Sequence, residues 1–278
     1  MDTIIQNLAK PCSSRIKPLI INISHSYDYE PSMYEHGFKV LNCTDLYGTE
    51  FFCSPEAEKE FKKRLSNYSL RGIHFIDSGN YHYLSKLWCE RIKKPFSLIL
   101  FDHHTDMQKS SVEGLLSCGN WVRKMLEENS CLVKVVVLGA SESQRATIDP
   151  TLASRVIFYG EDKLMEDSSW REFSSMHLSE PVYVSIDKDV LDADEAITDW
   201  DQGSMTLDRL ERLLKIVFNN EKVIGLDICG EYSGFSDLDK MQKAAFVNEK
   251  TNLELLEEIE REEKLWFTPL RLSSHRLC

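Results

Sequence analysis

An α/β fold built on a mainly parallel sheet is what this chain predicts, and three observations carry that reading. Short apolar runs rich in β-branched residues alternate with longer amphipathic stretches. The runs are apolar at successive positions, as strands are when helices cover both faces of their sheet. The separations between them are long enough for right-handed helical crossovers, which join parallel neighbours.

The elements run in order along the chain. A first strand is expected at 18–23 and a weaker one at 38–42. A helix is expected over 54–67, because Ser54-Pro55 supplies a cap and a proline at the first helical position, with acids in the first turn. The remaining strands are expected at 72–77, 96–101, 133–139, 156–159, 182–186 and 223–228. Between them, 83–93, 121–128 and 207–219 repeat the apolar period of an amphipathic helix. Residues 252–264 are strongly charged, with Leu253, Leu255, Leu256 and Ile259 on one side, which marks a surface helix. No internal repeat, Gly/Ser linker or low-complexity tract divides the chain. Residues 1–278 therefore read as one domain, with 1–70 as the place for accessory structure or a small amino-terminal lobe.

Composition narrows the partners. With 42% hydrophobic and 28% charged residues the chain is an ordinary globular mixture, not a disordered one. Its formal net charge of -12 repels phosphate backbones and anionic lipid, so nucleic acid and membrane are excluded in favour of a small cationic ligand. The first 15 residues hold no continuous apolar core, and no apolar run approaches the ~20 residues of a membrane span. The eight cysteines form no CxxC pair and read as reduced thiols, so a cytoplasmic location is expected.

In an open parallel sheet, ligands bind beyond the carboxyl ends of the strands. Four strands here run directly into polar clusters. Phe101 leads into Asp102-His103-His104-Thr105-Asp106, and Ile186 into Asp187-Lys188-Asp189. The strand ending at Asp77 leads into Ser78-Gly79-Asn80-Tyr81-His82, and the last strand into Asp227-Ile228-Cys229-Gly230-Glu231. Each cluster alone is an ordinary turn or helix cap. Together they bring His82, Asp102, His104, Asp106, Asp187 and Asp189 to one crevice. So many carboxylates and imidazoles need compensating positive charge, which divalent metal supplies. Four Asp and two His exceed one tetrahedral site, so two cations are expected. Oxygen and nitrogen donors, with no thiolate among the leading candidates, favour Mn2+ over structural zinc.

The ordered triple of a turn ending in His82, Asp102-x-His104-x-Asp106 and Ser185-x-Asp187-x-Asp189 resembles the arginase/agmatinase (ureohydrolase) family, over residues 73–231. That resemblance implies a three-layer α/β/α fold around a parallel sheet of about eight strands and a binuclear manganese centre. It implies that Asp102 and Asp187 bridge both ions, that His82 and Asp106 complete one site, and that His104 and Asp189 complete the other. A hydroxide between the ions would attack a guanidinium carbon, releasing urea and an amine. The implied substrate is a small guanidino compound, arginine-like or agmatine-like, or an arginine-containing peptide. Family members form trimers or hexamers, so a homo-oligomer is also implied.

The chain departs from the family pattern at three places. Cys118, in Ser117-Cys118-Gly119-Asn120-Trp121, stands where the family has a proton-shuttling His, and is the shuttle candidate. Ser117 and Asn120 are the candidates for contact with a substrate tail. Glu231 is the candidate partner of the guanidinium, displaced by one residue behind Gly230, whose bulge would restore its aim; Asp227 is the second candidate. Catalytic work therefore falls to Glu231, Cys118 and Asp106. An acidic run at 192–203 replaces a Pro/Gly-rich stretch and would draw cations if it borders the crevice, with Trp121 and Trp200 adding cation–π contacts. Two other readings stay open: a metal-dependent amidohydrolase or deacetylase on the same fold, and a non-catalytic binding protein on a ureohydrolase scaffold.

Overall fold

The computed structural model describes residues 17–263 apart from residues 36, 111, 113, 165 and 235. The expectations placed on residues 1–15, on Cys12 and Cys278, and on Lys264 lie outside the described residues. The strands are β1 (Leu19–Asn22), β2 (Lys39–Asn42), β3 (Phe52–Cys53), β4 (Ile73–Ile76), β5 (Phe96–Phe101), β6 (Leu116–Ser117), β7 (Leu132–Leu138), β8 (Val156–Tyr159), β9 (Val182–Asp187) and β10 (Val223–Cys229). The α-helices are α1 (Pro31–Glu35), α2 (Pro55–Leu65), α3 (Leu84–Cys89), α4 (Trp121–Glu128), α5 (Glu161–Leu164), α6 (Asp167–Ser175), α7 (Leu207–Asn220) and α8 (Leu238–Glu263).

Eight strands form one sheet in the order β2-β1-β4-β10-β9-β5-β7-β8, and every neighbouring pair is parallel. Each expected strand is present. β4, β5 and β9 are buried at every position, as helices on both faces require. One face packs against Phe61 of α2, Trp88 of α3 and Met125 of α4. The other packs against Leu210, Leu214 and Val217 of α7 and Leu255 and Ile259 of α8. The architecture is the expected three-layer α/β/α sandwich.

Local chemistry sets the helix ends. Ser54 Oγ accepts from Ala57 N at 3.2 Å with Pro55 as first helical residue, and the first turn carries Glu56 and Glu58. Thr206 caps α7 in the same way.

Two expectations change. The segment before residue 70 is not peripheral: β1 lies between β2 and β4 in the main sheet, with Leu19 opposite His74. The last helix begins at Leu238, well before the expected residue 252. Its early turns bury polar residues, which hides the apolar period. Asn248 donates to Ile197 O and accepts from Ile197 N, both at 2.9 Å, so a buried amide replaces an apolar contact. Among the described residues no helix is long and apolar enough to cross a membrane, and the six described cysteines are free thiols.

Candidate metal centre

β10, β9 and β5 are adjacent, so their carboxyl ends form one continuous edge, extended by β4 on the far side of β10. Asp102, His104 and Asp106 leave the end of β5, and Asp187 and Asp189 the end of β9. Beyond β4, Ser78 Oγ accepts from Asn80 N at 3.2 Å and starts the 3-10 turn Gly79–Tyr81, which delivers His82. Asp106 has φ of +51°, a left-handed conformation uncommon for a side chain other than Gly or Asn.

These six residues meet. His82 Nδ1 lies 3.0 Å from Asp106 Oδ2 and 3.4 Å from both Asp102 Oδ2 and Asp187 Oδ2. His104 Nδ1 lies 2.8 Å from Asp189 Oδ2 and 3.5 Å from Asp102 Oδ1. Asp102 thus turns one oxygen to each histidine. Asp187 Oδ2 faces His82, while its Oδ1 accepts from Asp189 N at 3.0 Å. All but His104 are buried.

The surroundings hold these groups in place. Ser185 Oγ donates to Asp227 Oδ1 at 2.6 Å and lies 2.8 Å from His82 Nε2. With its own proton directed at Asp227, the hydroxyl accepts from His82, which sets the imidazole proton on Nε2. Nδ1 then faces three carboxylates, and this buried atom makes no hydrogen bond. Trp121 Nε1 donates to Asp106 Oδ2 at 2.5 Å, and Asp201 Oδ1 lies 3.1 Å from His104 Nε2.

The electrostatics point the same way. Burial, followed by the charge of Asp102, pushes Asp106 up to about 6. Burial, then Asp187 and Asp102, raises Asp189 well above the usual carboxylate range. Burial alone would depress His82, yet Cys229, Asp102 and Asp106 outweigh it and raise the imidazole well above its ordinary value. Asp106, Asp187, Asp189 and both imidazoles are shifted toward protonation, whereas His104 and His82 together outweigh burial and hold Asp102 below the usual carboxylate range, so the cluster is short of positive charge. A donor set of carboxylate oxygens and imidazole nitrogens, with a buried Nδ1 that no hydrogen bond occupies, fits divalent cations, which would displace the proton there.

A cavity of about 300 Å³ opens on this cluster. Asp102, His104, Asp106, Asp187 and Asp189 line it, as do Phe51 and Phe52, which the antiparallel β3–β6 pair brings alongside Ser117. Trp200 also lines it, with its ring edge-on to both Phe51 and His104. The acidic run at 192–203 therefore borders the crevice through Trp200, and its Asp201 meets the outer nitrogen of His104. Nothing in the sequence signalled Phe51 and Phe52, because only the β3–β6 pairing carries them there.

Several expected roles are revised. Glu231 does not line the cavity. It is 1% exposed and ion-paired with Lys188, and it accepts from Asn252 Nδ2 at 2.9 Å. Lys188 Nζ also donates to Asn252 Oδ1 at 3.0 Å, and Asn252 Nδ2 reaches Glu30 Oε2 at 3.0 Å. Burial opposes ionisation of Glu231, but Lys188 outweighs it and lowers the carboxyl. Burial, then Glu231, raises Glu30 well above its usual range, so one charged pair sits beside a neutral acid. Gly230, with φ of +99°, does not restore the aim. A Cβ there would lie 2.6 Å from Asp187 Oδ1, so no side chain fits at 230. Asp227 is occupied by Ser185 and is no alternative guanidinium partner.

Cys118 lines the cavity, but burial, with the charge of Asp106, pushes its thiol up to about 12. A thiol that stays neutral near pH 7 is a poor proton shuttle. Ser117 and Asn120 also line the cavity. The Asn120 amide, however, is used within its own loop, accepting from Ser117 N and donating to Leu115 O, both at 2.9 Å. Trp121 is buried and serves Asp106, so of the two expected tryptophans Trp200 is the one that lines the cavity.

Comparison with known proteins agrees with this architecture. The Arginase family model matches residues 56–250. An uncharacterized protein of Thermotoga maritima is 34% identical over 224 residues, 81% of each chain. Proclavaminate amidino hydrolase from Streptomyces clavuligerus superposes with a TM-score of 0.64 at 16% identity, over 89% of this chain and 93% of that one. The agmatine ureohydrolase of Thermoplasma volcanium gives 0.64 at 15% identity, over 90% and 92%. At such identities the superpositions speak for the fold alone. The family match, however, spans all three motifs that meet at the crevice, and on it this chain belongs to the arginase family.

Proposed function

We propose that the protein is a hydrolase dependent on two divalent cations, manganese by preference, which cleaves a C–N bond of a small guanidino compound and releases urea. The observation that carries this reading is the buried Nδ1 of His82, unpartnered and turned toward three carboxylates beside a second imidazole–carboxylate group. His82 and Asp106 would hold one ion, His104 and Asp189 the other, with Asp102 and Asp187 shared. Two cations held there supply a water activated at neutral pH and charge to polarise the substrate.

The chain's own part is positioning. Trp121 fixes Asp106, Ser185 and Asp227 fix the tautomer of His82, and Asp201 orients His104. Phe51 and Trp200 present aromatic surface beside the acidic residues, a combination that attracts cations and excludes water. The modest volume suits one head group on a short tail.

Incubation of manganese-loaded protein with arginine, agmatine, guanidinobutyrate and arginine-containing peptides is expected to release urea from at least one. Urea from none would overturn the reaction, and metal stoichiometry tests the centre separately. The fixed tautomer of His82 has a measurable consequence of its own. Ser185→Ala or Asp227→Asn is expected to weaken metal binding ~10–100-fold, read by competition with a chelator. Binding unchanged in both variants would show that neither residue orients His82 for metal.

One observation favours a second reading. The acids that line the cavity belong to the ligand set, and Glu231 is sealed behind Lys188. A metal-dependent amidohydrolase at the same centre needs no dedicated guanidinium carboxylate. Amine release without urea from a panel of acylated amines would support it.

A further inference from the structure

We propose that Cys229 is a ligand of the cation on the His82 side, so that the two positions of the centre differ in chemical softness. The inference rests on the metal reading above and adds a donor to it. Cys229 is the last residue of β10 and stands in register beside Asp187 at the end of β9. It is fully buried. Its Sγ donates to Asp187 Oδ2 at 3.1 Å, on the oxygen that faces His82. Sulfur, a ring nitrogen of His82 and an Asp187 oxygen lie within 4.8 Å of one another, close enough to hold one ion between them.

A second observation is independent of the sulfur. His82 Nδ1 is buried and without a hydrogen bond, and it lies 3.4 Å from Asp187 Oδ2, the same oxygen that accepts from the Cys229 sulfur. Of the described cysteines, Cys229 alone joins such a group. The group around His104 contains only Asp102 and Asp189 besides the imidazole, with no sulfur.

Donor type then separates the two positions. Carboxylate and imidazole donors suit Mn2+, whereas an added thiolate shifts preference toward thiophilic ions such as Zn2+, Co2+ or Fe2+. The sulfur therefore raises the relative affinity of the His82 position for thiophilic ions, while the His104 position keeps the hard donor set that suits Mn2+. On binding, the sulfur–metal bond forms as the S–H bond breaks, and the proton leaves to solvent. No change of oxidation state is involved.

Cobalt(II) is the probe. The full chain is stripped by chelation and titrated with Co2+ while near-ultraviolet absorption and bound cobalt are both recorded. A thiolate-to-cobalt charge-transfer band is expected with the ion that binds beside His82, lost in Cys229→Ser and retained in Cys118→Ser. In Cys229→Ser the ratio of Zn2+ to Mn2+ affinity at that position is expected to fall at least ~10-fold. Cobalt bound by the wild-type chain without such a band overturns thiolate ligation and leaves the metal centre standing. A band that survives Cys229→Ser overturns the assignment to Cys229. Absence of bound cobalt overturns the metal reading itself. If Cys229→Ser fails to fold, Cys118→Ser still discriminates, because loss of the band in that variant overturns the assignment to Cys229.

Discussion

Asp102→Asn is expected to strip the protein of both ions and with them its turnover. Asp102 places Oδ2 beside His82 and Oδ1 beside His104, so it is the one carboxylate whose two oxygens contact both imidazoles. Asparagine keeps the shape and removes the charge that each cation would face. Unit charges about 4 Å apart at an effective dielectric of about 20 interact by about 4 kcal/mol, nearly three orders of magnitude in affinity. Asp187→Asn is expected to act in the same direction. His82→Asn or His104→Asn removes one terminal donor and is expected to leave roughly one ion in place. Metal-to-protein ratios after gel filtration at fixed Mn2+ measure this. Equal retention in the Asp102, His82 and His104 variants would show that no carboxylate is shared.

Lys188→Met is expected to be the most destabilising of the simple substitutions near the site. Lys188 and Glu231 are 0% and 1% exposed, and removing one partner leaves the other charge buried and unpaired. The usual cost of breaking such a pair is about 3–5 kcal/mol, which at about 2–4 °C per kcal/mol lowers Tm by roughly 6–20 °C. The double replacement Lys188→Met with Glu231→Leu is expected to recover most of that loss, because an apolar pair has no charge to desolvate. Thermal unfolding of the two single variants and the double variant closes the cycle. The result also bears on the role of Glu231. If that carboxylate bound the substrate, Glu231→Gln would raise KM and leave Tm unchanged; as an internal partner of Lys188 it lowers Tm.

Much of this was legible along the chain, and the residues show why. β5 and β9 are continuous apolar runs because both of their faces are covered, so their ends can be read locally. A parallel sheet gathers the residues just past its strand ends along one edge. Asp102, His104, Asp106, Asp187 and Asp189 all lie within a few residues of a strand end, which is why spacing alone could bring them together. α8 was half hidden for the opposite reason. It buries Asn248, Thr251 and Asn252 as hydrogen-bonding partners, and polar residues do not mark a core face.

By itself, the sequence determined the strands, their common edge and the polar residues that edge carries, because each depends on the character of a few consecutive side chains. Only the tertiary structure decided what each polar group then does. Glu231 is bound to Lys188 and Asn252, with Glu30 from a segment some two hundred residues earlier completing the network. Cys229 stands beside His82, and Trp121 serves Asp106. A buried charge takes its role from the nearest group of opposite sign or matching hydrogen-bond capacity, and long-range packing chooses that neighbour.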